Sequence, residues 1–157
     1  MAAYVAVVGS GEPATPHVEA AERVGRALAE RGAVVVTGGL GGVMEAASRG
    51  AREAGGTTVG ILPGADRSAA NPYVQVAIPT GLGEARNALV ARAADALIAV
   101  GGSWGTLSEI ALALRAGKRV VGLSSWEVRD PETPSDGVVA ATGPLEAVEL
   151  ALDGLDG

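Results

Sequence analysis

Twice in this chain an apolar run ends in a cluster of glycines and gives way to a segment with helical spacing. Ala33 to Thr37 runs into Gly38-Gly39-Leu40-Gly41-Gly42 and then into a helix from about Val43 to Ala54. Ala96 to Val100 runs into Gly101-Gly102-Ser103-Trp104-Gly105 and then into a helix from about Thr106 to Ala116. Short apolar runs bounded in this way read as parallel strands buried on both faces. A strand that feeds a helix returns to its sheet by a right-handed crossover. Glycine makes up 24 of the 157 residues, well above the usual ~7%, and its clusters fall at the ends of the predicted strands.

The rest of the chain repeats the pattern. Tyr4 to Val8 predicts a first strand ending at Gly9-Ser10-Gly11. Pro13 and Thr15 open a helix through about Arg31, with Ala20, Val24, Ala27 and Leu28 at helical spacing and Gly32 as its cap. Strands are predicted at Thr58 to Leu62, Val74 to Ile78 (stopped by Pro79) and Arg119 to Leu123, with a short last one at Val138 to Ala141. Further helices are predicted at about Glu84 to Ala94 and at Pro144 to Leu152. Pro63 to Pro72 and Ser124 to Gly137 read as loops. The expected fold is a three-layer, Rossmann-like α/β domain over residues 1–157, an open parallel sheet of about six or seven strands with helices on both faces. Such sheets bind ligands at the carboxyl ends of their strands, near the reversal of strand order.

Composition narrows the chemistry. The net charge is −6, which argues against nonspecific binding to nucleic acid or to an anionic membrane. There is no Cys, so disulfides, thiolate metal sites and cysteine nucleophiles are excluded, and His17 is the one histidine. No metal site and no cofactor is expected. No segment approaches the ~20 apolar residues of a membrane span. The N-terminus has no basic stretch of a signal peptide, and the expected compartment is the cytoplasm.

A strand that enters a helix through glycines presents backbone N–H groups, and the helix dipole adds roughly half a positive charge there. Gly101, Gly102, Gly105 and Thr106 suit a phosphate, with the hydroxyls of Ser103 and Thr106 as extra donors. Gly38, Gly39, Gly41 and Gly42 form a second wall. Familiar nucleotide motifs fit poorly. Gly9-Ser10-Gly11 is followed by Ala14 where a dinucleotide fingerprint has its third glycine, and no acidic residue ends the second strand. No glycine turn leads into Lys-Ser or Lys-Thr, which excludes a P-loop. Glu109, three positions beyond Thr106, either faces the pocket or supports the helix dipole. Arg86 and Asn87 lie toward the same edge, as pocket residues or as a solvated face paired with Glu84.

Gly101-Gly102-Ser103-Trp104-Gly105-Thr106-Leu107-Ser108-Glu109 resembles the Gly-Gly-x-x-Gly-Thr-x-x-Glu signature of the LOG (Lonely Guy) family. Thr37 to Ala46 resembles that family's earlier Gly-Gly-x-x-Gly-x-Met turn, which adds Met44 to the binding set. The resemblance runs from about Val5 to Leu123. It implies hydrolysis of the N-glycosidic bond of a purine nucleoside 5′-monophosphate, with Gly102, Gly105 and Thr106 on the phosphate and Arg86 and Glu109 as the catalytic pair. Val100 stands where LOG enzymes have Pro, and Asn87 where they have Lys. Those departures resemble a sister branch that includes the molybdenum cofactor carriers and DprA-related proteins. That branch implies a noncatalytic carrier or sensor of a phosphorylated ligand.

Other residues have plainer readings. Glu45 is a first-turn acid, and Asp66, Arg67, Ser68 and Asn71 are a polar surface loop with the option of lining the pocket. His17 is expected at the surface, and Trp126 anchors its loop. Trp104 must pack on a ligand ring, on a partner chain or on its own fold. The Ala-rich helix at Glu84 to Ala94 suits packing against another copy, so a homo-oligomer, dimer or tetramer, is expected.

Overall fold

Val5 and Val7 point to one side of the first strand and Ala6 and Val8 to the other, and all four are buried. A strand that is apolar on both sides has to sit in the middle of a sheet with helices above and below. The computed structural model, which describes residues 1–155, places it there. Among the described residues the strands are β1 (Tyr4–Gly9), β2 (Val34–Thr37), β3 (Thr58–Leu62), β4 (Val76–Pro79), β5 (Ala96–Val100), β6 (Arg119–Leu123) and β7 (Val139–Ala141). The α-helices are α1 (Thr15–Glu30), α2 (Val43–Glu53), α3 (Arg86–Ala93), α4 (Trp104–Arg115) and α5 (Pro144–Leu152).

The sheet order is β4-β3-β2-β1-β5-β6-β7, and every pairing is parallel. The chain builds outward from β1 to β4 and then returns to lay β5 on the other side of β1. Strand order reverses between β1 and β5, and there the crossover helices leave a crevice at the carboxyl ends. Helices α1, α2 and α5 cover one face through Val24, Leu28, Ala47 and Val148. Helices α3 and α4 cover the other through Val90, Ala91, Ile110 and Ala113. The expected open parallel α/β sheet is thus observed, with seven strands.

Local departures from the sequence reading have physical causes. Pro79 does not stop β4 but belongs to it, paired with Leu62, because an edge strand needs no donor on its outer side. The start of that strand is taken over by side-chain bonding. The Thr58 hydroxyl donates to Tyr73 O (2.6 Å) and accepts from the Gln75 amide (2.9 Å). The third helix opens as a 3-10 turn at Gly83–Ala85, so the α-helix begins at Arg86. Helix α4 begins at Trp104, two residues before the expected Thr106.

Helices α1 and α2 cross backbone to backbone. A Cβ on Gly25 would overlap the carbonyl of Ala47, and one on Gly50 would overlap that of Glu22. Glycine inside a helix costs roughly 0.5–1 kcal/mol relative to alanine, and close helix contact offsets that cost here. Arg26–Glu53 (2.7 Å) and Arg49–Glu22 (3.0 Å) flank the crossing as ion pairs. Gly50→Ala, usually a helix-favouring change, is therefore expected to destabilise by about 1–3 kcal/mol through overpacking. Urea unfolding should show a lower midpoint at an unchanged slope.

Candidate functional site

Three backbone segments meet at the strand-order reversal. Gly9 ends β1 opposite Val100 of β5. A Cβ on Gly9 would lie 2.6 Å from Val100 O and 2.7 Å from Val43 Cγ2 of α2. Gly42, at φ +68°, lets the head of α2 press against Ser10 and Gly11, and the Val43 amide donates to Ser10 O at 3.1 Å. Only glycine permits both contacts.

The two glycine turns take different parts. The first is a scaffold. The Gly39 amide donates to Thr37 Oγ1, and the Gly39 and Leu40 carbonyls accept from Asn71. Asn71, read as part of a surface loop, is a buried brace for this turn. Gly38 leaves the space in which the Arg86 guanidinium lies, since a Cβ there would overlap it and come within 2.8 Å of Met44 Sδ. Gly39 packs on Leu62, while Gly41 meets nothing closer than Gly11 O at 4.0 Å.

The second turn is open to solvent. Gly102, Ser103 and Gly105 are exposed, while Thr106 behind them is buried. The first-turn amides of Trp104 and Gly105 have no carbonyl partner inside the helix. The Thr106 hydroxyl accepts from the Ser103 amide at 3.2 Å and lies 3.4 Å from Ser103 Oγ, which holds the turn in shape. Gly101, at φ +60°, has no room for a side chain because the His17 imidazole packs on it. His17 is thus half-buried and braces the loop, contrary to the surface position expected of it.

A cleft of about 380 Å³ opens between α3 and the head of α4. Met44, Arg86, Ser103, Gly105, Thr106 and Glu109 all line it, so six of the residues singled out by sequence converge. Gly38, Gly39, Gly41, Gly42, Gly101 and Gly102 stand behind or beside it. Asn87 also borders the cleft, and its role was not legible in sequence. Its Nδ2 donates to Ser108 Oγ (3.1 Å), which donates to Gly105 O (2.7 Å), tying α3 to the first turn of α4.

Arg86 and Glu109 are 8% and 7% exposed. They act on each other through space, with no direct ion pair. Burial pushes the Glu109 carboxyl up to about 7, with the Arg86 charge pulling it the other way. Burial also lowers the Arg86 guanidinium, and Glu109 opposes that. The Arg86 Nε is buried without a hydrogen-bond partner. An unsatisfied charged donor of this kind costs more than the ~1–3 kcal/mol of a neutral one. Among the described residues no helix is long and apolar enough to cross a membrane.

Residues 2–148 match the model of the SLOG cluster4 family. The chain belongs to this family. A molybdenum cofactor binding protein from the phototrophic bacterium Rippkaea orientalis shares this fold with a TM-score of 0.89 and 38% identity, over 99% of this chain and 98% of that one. The molybdenum cofactor carrier protein of Chlamydomonas reinhardtii superposes with a TM-score of 0.85 and 34% identity, over the full length of both chains. An uncharacterized protein of Archaeoglobus fulgidus is 42% identical over 148 residues, covering 94% of this chain and 93% of its own.

The Glu109 carboxyl gives the site a pH signature. Its folded value lies above the ordinary 4.5, so protonation favours the native state. That stability is fully present below pH 4.5 and is lost as pH rises toward 7, by about 3 kcal/mol at most. Glu109→Gln should therefore melt at a higher temperature than the parent at pH 8 and at about the same temperature near pH 4.5. Equal melting temperatures at both would remove the buried-acid account.

Proposed function

We propose that this SLOG cluster4 protein binds and carries a phosphorylated small molecule of the molybdenum cofactor type, with its phosphate at the head of α4. The observation that carries the reading is Arg86, buried with an unpartnered Nε in the same cleft as the open first turn of that helix. A phosphate there accepts from the Trp104 and Gly105 amides and from the guanidinium, and charge-assisted bonds of this kind are the strong ones. The similarity to a molybdenum cofactor binding protein over 99% of the chain supports the choice of ligand. Calorimetry with a pterin bearing a phosphomonoester should show binding. Arg86→Ala should weaken it by about 1.5–3 kcal/mol, roughly tenfold to a hundredfold. An unchanged affinity would remove Arg86 from the site.

Glu109 favours a second reading. A carboxyl near pH 7 in a ligand cleft suits proton transfer or stabilisation of positive charge on a ribose ring. That is the chemistry of N-glycosidic hydrolysis of a nucleoside 5′-monophosphate. Incubation with AMP separates the two. Release of free adenine that Glu109→Gln abolishes supports the hydrolase, and binding without release supports the carrier.

The same reading includes a homo-oligomer. Val76, Ile78, Leu82 and Leu89 leave 46%, 45%, 53% and 40% of their surface open. Val76 and Ile78 extend the sheet face of Val59 and Ile61 beyond the helices that cover it. Light scattering should give a dimer or tetramer mass, and Ile78→Glu should lower it.

A further inference from the structure

Trp104 lends its backbone amide to the site described above, but its side chain has no part there. It stands at the first position of α4 with 77% of its surface exposed. Its ring does not float. It lies against Trp126, with ring centroids 5.2 Å apart and planes tilted by 33°, within the range of favourable aromatic pairs. Trp126 is itself fixed to the turn. Its Nε1–H donates to Ser103 O at 3.1 Å, and its ring edge occupies the space that a Cβ on Gly102 would need. The pair is therefore a rigid two-ring platform bolted to the loop whose amides face the anion. Ser103 and Gly105, the chain neighbours of Trp104, both line the cleft.

We infer that Trp104 is a specificity residue, a stacking surface for the flat heteroaromatic ring of a ligand whose phosphate sits on the α4 amides. The inference rests on the phosphate reading above and adds to it the part of the ligand that is recognised. An indole with one face braced and the rest open gives a purine or pterin ring a π-surface at low ordering cost, because the platform is held in place before binding. A partner chain is the weaker account of this exposure. Of the other large apolar side chains that the fold leaves open, Val76, Ile78, Leu82 and Leu89 lie at β4 and its neighbours and Val139 and Leu145 at the opposite sheet edge, whereas Trp104 belongs to the anion loop itself.

The chain has two tryptophans, and both are in this pair. Intrinsic fluorescence therefore reads the platform directly. The probes are a pterin bearing a phosphomonoester, AMP, and ribose 5-phosphate, which has the phosphate without the ring. The ring-bearing phosphate should quench the emission, and ribose 5-phosphate should not. By calorimetry, Trp104→Ala should weaken the pterin phosphate roughly tenfold to a hundredfold and leave ribose 5-phosphate within about twofold. Trp104→Phe should keep most of the affinity. Position 104 is a solvent-facing helix start, so the variants should fold, and a melting curve checks this. Equal loss for the pterin phosphate and ribose 5-phosphate, or no loss for either of these two, overturns the stacking role and leaves the phosphate site standing. A drop in oligomer mass without ring-selective loss assigns Trp104 to a partner chain and also overturns it. If the parent protein binds none of the three probes, the phosphate reading fails and the stacking role fails with it.

Discussion

A guanidinium buried beside a carboxyl without touching it is the constraint around which this site is built. Arg86 has lost most of its water, and its Nε has gained no partner in exchange. Charges are not left in that state at random, because removing them from water is costly. The surrounding sequence is shaped to hold it. Gly38 gives the side chain its space, Met44 packs beside that space, and Asn71 clamps the turn that carries Gly38. The tie from Asn87 through Ser108 to Gly105 then fixes the helix bearing Arg86 against the loop that faces it.

An acidic protein can present a positive site because the attraction is local. The net charge is −6, but charges beyond about 8–10 Å are screened at ordinary ionic strength. The cleft brings together one guanidinium, the positive end of α4 and the carboxyls of Glu84 and Glu109, of which burial holds Glu109 toward its neutral form. The helix contributes through backbone groups that need no basic side chain. Such a turn needs no lysine to attract an anion, and a charge count over the whole chain says nothing about the cleft.

Much of this was legible in the residues. The strands at Thr58–Leu62, Ala96–Val100 and Arg119–Leu123 and the last helix at Pro144–Leu152 fall where apolar runs and their glycine or proline boundaries put them. The convergence of Met44, Arg86, Thr106 and Glu109 followed from strand ends and from motif resemblance. What did not show is long-range. Asn71 and His17 are polar residues near loops by any local measure. Their burial depends on Gly39 and Gly101, 32 and 84 positions away by residue number. The two-residue shift at the start of α4 comes from Ser103, which caps the helix through Thr106. The long-range part there is Trp126, from the loop after β6, which donates to Ser103 O.

The pair Arg86–Glu109 also bears on which chemistry the cleft can support. A carboxyl near 7 is about half ionised in neutral solution, and the Arg86 charge is what keeps it from rising further. A phosphate dianion seated on Arg86 cancels that pull and adds a negative charge of its own. Both effects drive Glu109 toward its neutral form. A neutral acid can donate a hydrogen bond or a proton but cannot serve as a base or stabilise a developing cation. Hydrolysis with an ionised Glu109 therefore requires that the phosphate lie far enough along the α4 amides to leave Arg86 to the carboxylate. Carriage requires no such separation, because a neutral Glu109 beside a phosphate is a satisfied donor. The choice between the two proposed chemistries thus turns on which acid, the ligand's or the protein's, holds the guanidinium.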